Sequence, residues 1–133
     1  MKSTDTEGFT FVEIMTALAL LAVLTVIAWG KFSKSYDKAL EATMISDLRN
    51  LATAQEIYYR EHLTYADDVA LVSESMNPSP KSDITITDAH PRGWAGWTRM
   101  DATDERCELY VGRDVSSPLG YAETSERIAC GSP

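Results

Sequence analysis

Histidine and cysteine are scarce in this chain of 133 residues, with two of each. His62 and His90 lie far apart, and neither belongs to an HExxH pattern. CxxC, GxSxG and a glycine-rich phosphate loop are missing too. We therefore expect neither an enzyme nor a bound cofactor. Asp101, Asp104 and Glu105 form an acidic cluster too sparse in oxygen ligands for a calcium loop, so no metal site is expected. Basic residues are the minority, 12 Lys+Arg against 20 Asp+Glu. One of those bases and three of the acids precede residue 31, which leaves 11 against 17 and a net charge of −6 on residues 31–133. Such a body repels phosphates and anionic headgroups, and no general nucleic-acid binding is expected.

Charge is also nearly missing from Phe9 to Trp29, where Glu13 is the single ionisable group in 21 residues. As a helix this run extends about 31 Å, enough to cross the hydrocarbon of a bilayer. A carboxylate inside a span costs about 2.5–3.5 kcal/mol on insertion scales, which makes Glu13 a candidate functional residue. The preceding Met1–Gly8 is short, polar and ends in glycine. A secretory signal has the opposite layout, with the apolar core before the cut. A cut after Gly8 keeps the apolar helix on the mature chain and makes Phe9 its N-terminus. The other layouts are a signal peptide cut near Ala28 and an uncleaved anchor.

From Lys31 the pattern becomes amphipathic. Tyr36, Leu40, Met44, Leu48, Leu51, Gln55 and Tyr58 recur at spacings of three or four, the mark of one helix face. Lys38, Glu41, Asp47, Arg49, Glu56 and Arg60 fill much of the remainder. The expectation is one nearly continuous helix from Phe9 to His62, roughly 80 Å long. Tyr58 and Tyr59 are assigned to packing, and His62 to the surface at the helix end. Residues 64–82 connect, and Asn77-Pro78-Ser79-Pro80 cannot continue a helix.

Beyond that loop the period is two. Ile84 and Ile86, Trp94 and Met100, and Cys107, Leu109 and Val111 alternate with polar neighbours, and a short last strand covers Arg127 to Cys130. Turn residues at His90-Pro91-Arg92-Gly93, around Asp101–Asp104 and at Pro118-Leu119-Gly120 separate the runs. The fold class expected is α+β: the long helix packed on an antiparallel sheet, whose apolar face covers the stripe from Tyr36 to Tyr58. Trp97 and Tyr110 then point away, under the cysteine-bounded segment, toward a neighbour or toward a ligand. Cys107 and Cys130 are an even pair in an anchored domain and point to one disulfide in an oxidising compartment. The other arrangement is two buried thiols in a cytosolic body.

Gly8-Phe9-Thr10-Phe11-Val12-Glu13, followed by Ile14 to Trp29, resembles the class III signal of type IV pilins and pseudopilins. The resemblance is strongest over residues 8–65. It implies a leader, residues 1–8, removed after Gly8 by a prepilin peptidase, which also methylates the new Phe9 amine. It further implies a membrane and filament-core helix at residues 9–30 and a pilin body at residues 31–133. The chain is then an inner-membrane precursor with a periplasmic body, and an assembly machine polymerises it with other pilin subunits into a surface filament, with adhesion, motility, DNA uptake and secretion all open as its use. Glu13 falls at the position that sets filament register. A free amine at Phe9 supplies a positive charge, and with axial stagger it can meet Glu13 of a neighbour, whereas a lone subunit leaves Glu13 poorly compensated in lipid.

Three features depart from the family. The leader is not basic, because Asp5 and Glu7 offset Lys2. Lys31, Lys34 and Lys38 by themselves place the body in the cytoplasm, and here we follow the processing motif and the cysteines instead. Gly30 stands where relatives carry proline, and a bend or local melting is expected there. The alternatives are a pseudopilin of a type II secretion system and a single-span anchored binding domain that does not polymerise.

Overall fold

The computed structural model describes residues 8–133, so residues 1–7 of the expected leader lie outside the described residues. The first element, α1, is a 52-residue helix, Phe11–His62. Contacts divide the chain into an N-terminal unit that ends at Tyr36 and a compact unit, Asp37–Pro133. In the N-terminal unit the large apolar side chains, from Phe9 to Phe32, are all exposed. Gly30 lies inside α1, with helical backbone on both sides.

The Asp37–Pro133 unit holds four strands, β1 Ser82–His90, β2 Gly93–Met100, β3 Arg106–Gly112 and β4 Ala129–Gly131. They form one antiparallel meander in the order β1-β2-β3-β4. The α+β arrangement is thus as expected. Pro91 and Arg92 make the β1–β2 turn, with His90 and Gly93 paired across it. Gly112 ends β3 at φ +100°, where a Cβ would collide with the Arg92 carbonyl oxygen. Only glycine accepts both conditions at little cost.

The core forms where the alternating strand face meets the helical stripe. Met44, Leu48 and Leu51 of α1 and Trp94 of β2 are fully buried together with Leu109 and Cys107 of β3. Ile84, Ile86, Met100 and Val111 pack around them, as the period of two requires. Each large apolar side chain buried here contributes about 1.5–3 kcal/mol. The stripe is covered over a shorter length than expected: Tyr36 is half exposed, and full burial begins at Met44.

Asp47 corrects a second expectation. It is not on the solvated face but buried, and its Oδ1 accepts hydrogen bonds from the Ser79 backbone N–H (3.1 Å) and hydroxyl (2.9 Å). The helix thereby holds the Asn77–Pro80 loop, whose prolines lack N–H donors of their own. Gln55 anchors the start of the connecting segment from about two turns before the helix end. Its Nε2 donates to the Ala66 carbonyl, and its Oε1 accepts from the Ala66 N–H, both at 2.8 Å. Tyr65 donates to Glu56 at 2.9 Å, and burial together with that carboxylate pushes its phenol up to about 12. Tyr58 stacks on His62 and Tyr59 packs on Tyr65, the packing roles expected of both. Between these loop anchors lies a single 3-10 turn, Val69–Val72, capped by Asp68.

Cys107 and Cys130 face each other across β3 and β4 and form the disulfide. The bond closes a loop with a sequence separation of 23, worth about 3 kcal/mol on the chain-entropy account. That loop is folded around Glu108, a fully buried carboxylate on the opposite face of β3 from the core. Its Oε1 accepts from the Ser117 hydroxyl (2.5 Å) and from the N–H groups of Tyr121 (2.7 Å) and Ala122 (2.5 Å). Its Oε2 accepts from the Leu119 N–H (2.5 Å). Burial opposes ionisation of this group, but the four donors outweigh it and hold the carboxyl below the usual carboxylate range. A depressed folded-state pKa contributes stability that is complete above the unfolded value of 4.5 and is lost as pH falls through the folded value. Glu108→Ala is expected to cost about 3 kcal/mol, by stranding several buried donors at once. Thermal unfolding followed by near-ultraviolet circular dichroism checks this: the parent should lose stability more steeply than the variant below pH 4.5.

Candidate functional site at the start of the helix

The residues singled out in the sequence, Gly8, Phe9 and Glu13, come together at the beginning of α1. Gly8 and Phe9 precede the helix, and among the described residues nothing lies within 4 Å of a Cβ built on Gly8. Phe9 is 86 % exposed. The backbone on both sides of the Gly8–Phe9 bond is therefore open to an enzyme.

Thr10 is the residue that sequence reasoning missed. It stands immediately before the first helical residue, and Glu13 stands three positions on. The Thr10 N–H and hydroxyl both donate to Glu13 Oε2 at 2.9 Å. In return the Glu13 N–H donates to Thr10 Oγ1 at 3.2 Å. This reciprocal capping box satisfies donors that a helix start otherwise leaves unpaired. The signal was legible as Thr10-Phe11-Val12-Glu13, a Thr-x-x-Glu pattern directly before an apolar run. The expectation that Glu13 is poorly compensated in a lone subunit is thereby corrected, because its own helix supplies two donors. Oε1 makes no hydrogen bond among the described residues.

The rest of the apolar run follows the same rule. Thr16 donates to the Val12 carbonyl at 3.0 Å, and Thr25 donates to the Leu21 carbonyl at 2.7 Å. Together with Thr10 and Glu13, these are all the hydroxyl and carboxylate groups between Phe9 and Trp29, and each has a local partner, with only Glu13 Oε1 left over among the described residues. A segment long and apolar enough to cross a membrane thus presents almost no unmet polar demand to lipid.

The cysteine pair and Gly30 lie elsewhere. The disulfide belongs to the body, and Gly30 to the middle of α1. Trp97 stands under the Arg106 guanidinium, 5.4 Å from the ring centre. The Tyr110 backbone carbonyl receives the Glu126 N–H at 2.8 Å, so the cysteine-bounded segment runs alongside it.

Residues 5–29 match the family model of the prokaryotic N-terminal methylation motif, the class III signal of type IV pilins and pseudopilins. Residues 30–133 lie outside that match. No curated protein matches the chain. The motif and the apolar helix together fit insertion of a pilin-like or pseudopilin precursor into a membrane.

The capping box has a measurable strength. Thr10→Val is expected to remove about 1 kcal/mol from the helix start. Amide exchange at Glu13 in micelles should then quicken by about fivefold, while Thr10→Ser keeps the parent rate.

Proposed function

We propose that the chain is the structural subunit of a type IV pilus-like filament. It enters the inner membrane as a prepilin with its body in the periplasm. A prepilin peptidase cuts after Gly8 and methylates the Phe9 amine, and an assembly machine polymerises the subunits through their N-terminal helices. Its part is structural and not enzymatic. The observation that carries this reading is the exposed apolar half of α1, headed by the methylation motif, with its hydroxyl groups paired within the helix.

Glu13 has a specific part in this scheme. One carboxylate oxygen is held by Thr10, and the other has no partner among the described residues. A neighbouring helix with axial stagger brings its Phe9 amine to that second oxygen. The ion pair forms without breaking the capping box. A wrong stagger leaves the amine unpaired in an apolar bundle, and that penalty fixes the register.

Intact-mass measurement of the purified protein is expected to find Met1–Gly8 gone and one methyl group gained. An intact Met1, or a cut near Ala28, overturns the reading. Glu13→Ala is expected to be processed normally, yet to yield at least about tenfold fewer filaments by sedimentation, the loss expected when a buried amine goes unpaired.

A further inference from the structure

The strongest feature outside the helix start is a groove of about 660 Å³ within the body, between α1 and the β3 side of the sheet. Ile45, Leu109, Val111 and Ile128 supply apolar walls. Arg49 and Arg127 line it as well, both exposed, with Glu126 as the one acid. Neither arginine forms an ion pair among the described residues, where the two salt bridges are Arg92–Asp114 and Arg99–Asp83. An apolar groove with two unpaired guanidinium groups, in a body with a net charge of −6, is suited to an apolar side chain flanked by acids.

The chain carries such a feature on the other side of the same sheet. The Val69–Val72 turn contacts β1, the edge opposite β4. Leu71 on that turn is 51 % exposed, and Asp67, Asp68 and Glu74 around it are all exposed. From this complementarity we infer that the Arg49/Arg127 groove of one copy receives the Leu71 knob of the next copy in the filament. The inference rests on the polymer reading and adds a body-to-body contact to it.

Groove and knob are different patches of one molecule, so the contact is heterologous. Such contacts propagate from copy to copy unless the rotation closes a ring, which is the symmetry a filament needs. A four-residue turn covers far less than the ~1,600 Å² typical of a stable pair, so this contact does not make a dimer in solution. It orients bodies that the bundled helices already hold at high effective concentration.

The test uses the full chain produced together with its assembly machinery. Copies bearing Thr53→Cys, in the groove, are mixed with copies bearing Leu71→Cys, and the filaments are treated with a short bismaleimide. Both positions are exposed, and the native cysteines are already paired to each other. The expected result is covalent dimers in the mixture and monomers in each single variant. Arg49→Glu should lower the dimer yield about tenfold, and Glu74→Arg in the partner copy should restore it, as for a charge-matched pair. Filaments without these dimers overturn the groove–knob contact and leave the polymer reading standing. Dimers joining Thr53→Cys to some other protein, with none to Leu71→Cys, overturn it likewise. The lack of both filaments and dimers overturns the two together.

Discussion

A single helix in this protein has two kinds of surroundings. Over its apolar half, long and apolar enough to cross a membrane, its large side chains are exposed, and lipid would supply no hydrogen bonds. Over its second half it is one wall of a packed core. The common device is that polar side chains find partners where they stand, with Asp47 Oδ2 the buried exception among the described residues. Thr10 and Glu13 answer each other, and Thr16 and Thr25 answer their own helix. Further along, Asp47 and Gln55 answer backbone groups of the connecting segment. What differs is only the partner, which is the helix itself in the first half and the loops in the second.

That rule also organises the rest of the body. The sheet contributes a conventional apolar face, and the connecting segment adds Ala66, Val72 and Met76 to the core, but the loops also need polar anchors. They are held by buried side chains reaching out from regular elements: Asp47 to Ser79, Gln55 to Ala66, and Glu108 to the segment closed by the disulfide. A buried acceptor with several donors is rigid because displacing it leaves every donor unpaired at once. The edges of the body are thereby given fixed shapes.

Much of this was legible beforehand, and the reasons are specific. The change from solid apolar to stripe to alternation is a change of period, so helix and strands emerged in the right order with the correct inward faces, Trp94 and Leu109 among them. Cys107 and Cys130 were readable as a pair because only two cysteines exist. Asp47 and Glu108 were not readable as buried, because a carboxylate at a polar phase of a periodic pattern looks the same whether water or a loop covers it. Their partners lie 32 and up to 14 residues away, beyond any local pattern. Thr10 was in plain view. Attention to the charge of Glu13 hid the hydroxyl that pairs with it.

The hold of Glu108 on its loop has a consequence for sequence change. Three of its four donors are backbone N–H groups, which every residue except proline provides. The side chains of Leu119 and Tyr121 take no part in those bonds. Exposed positions of the segment such as Glu123 can therefore be rewritten while the loop keeps its path, whereas the half-buried Tyr121 ring lies against Gly131. A segment held by main-chain donors can change its exposed side chains, or accept a grafted sequence, as long as Ser117, Glu108 and the two cysteines stay in place.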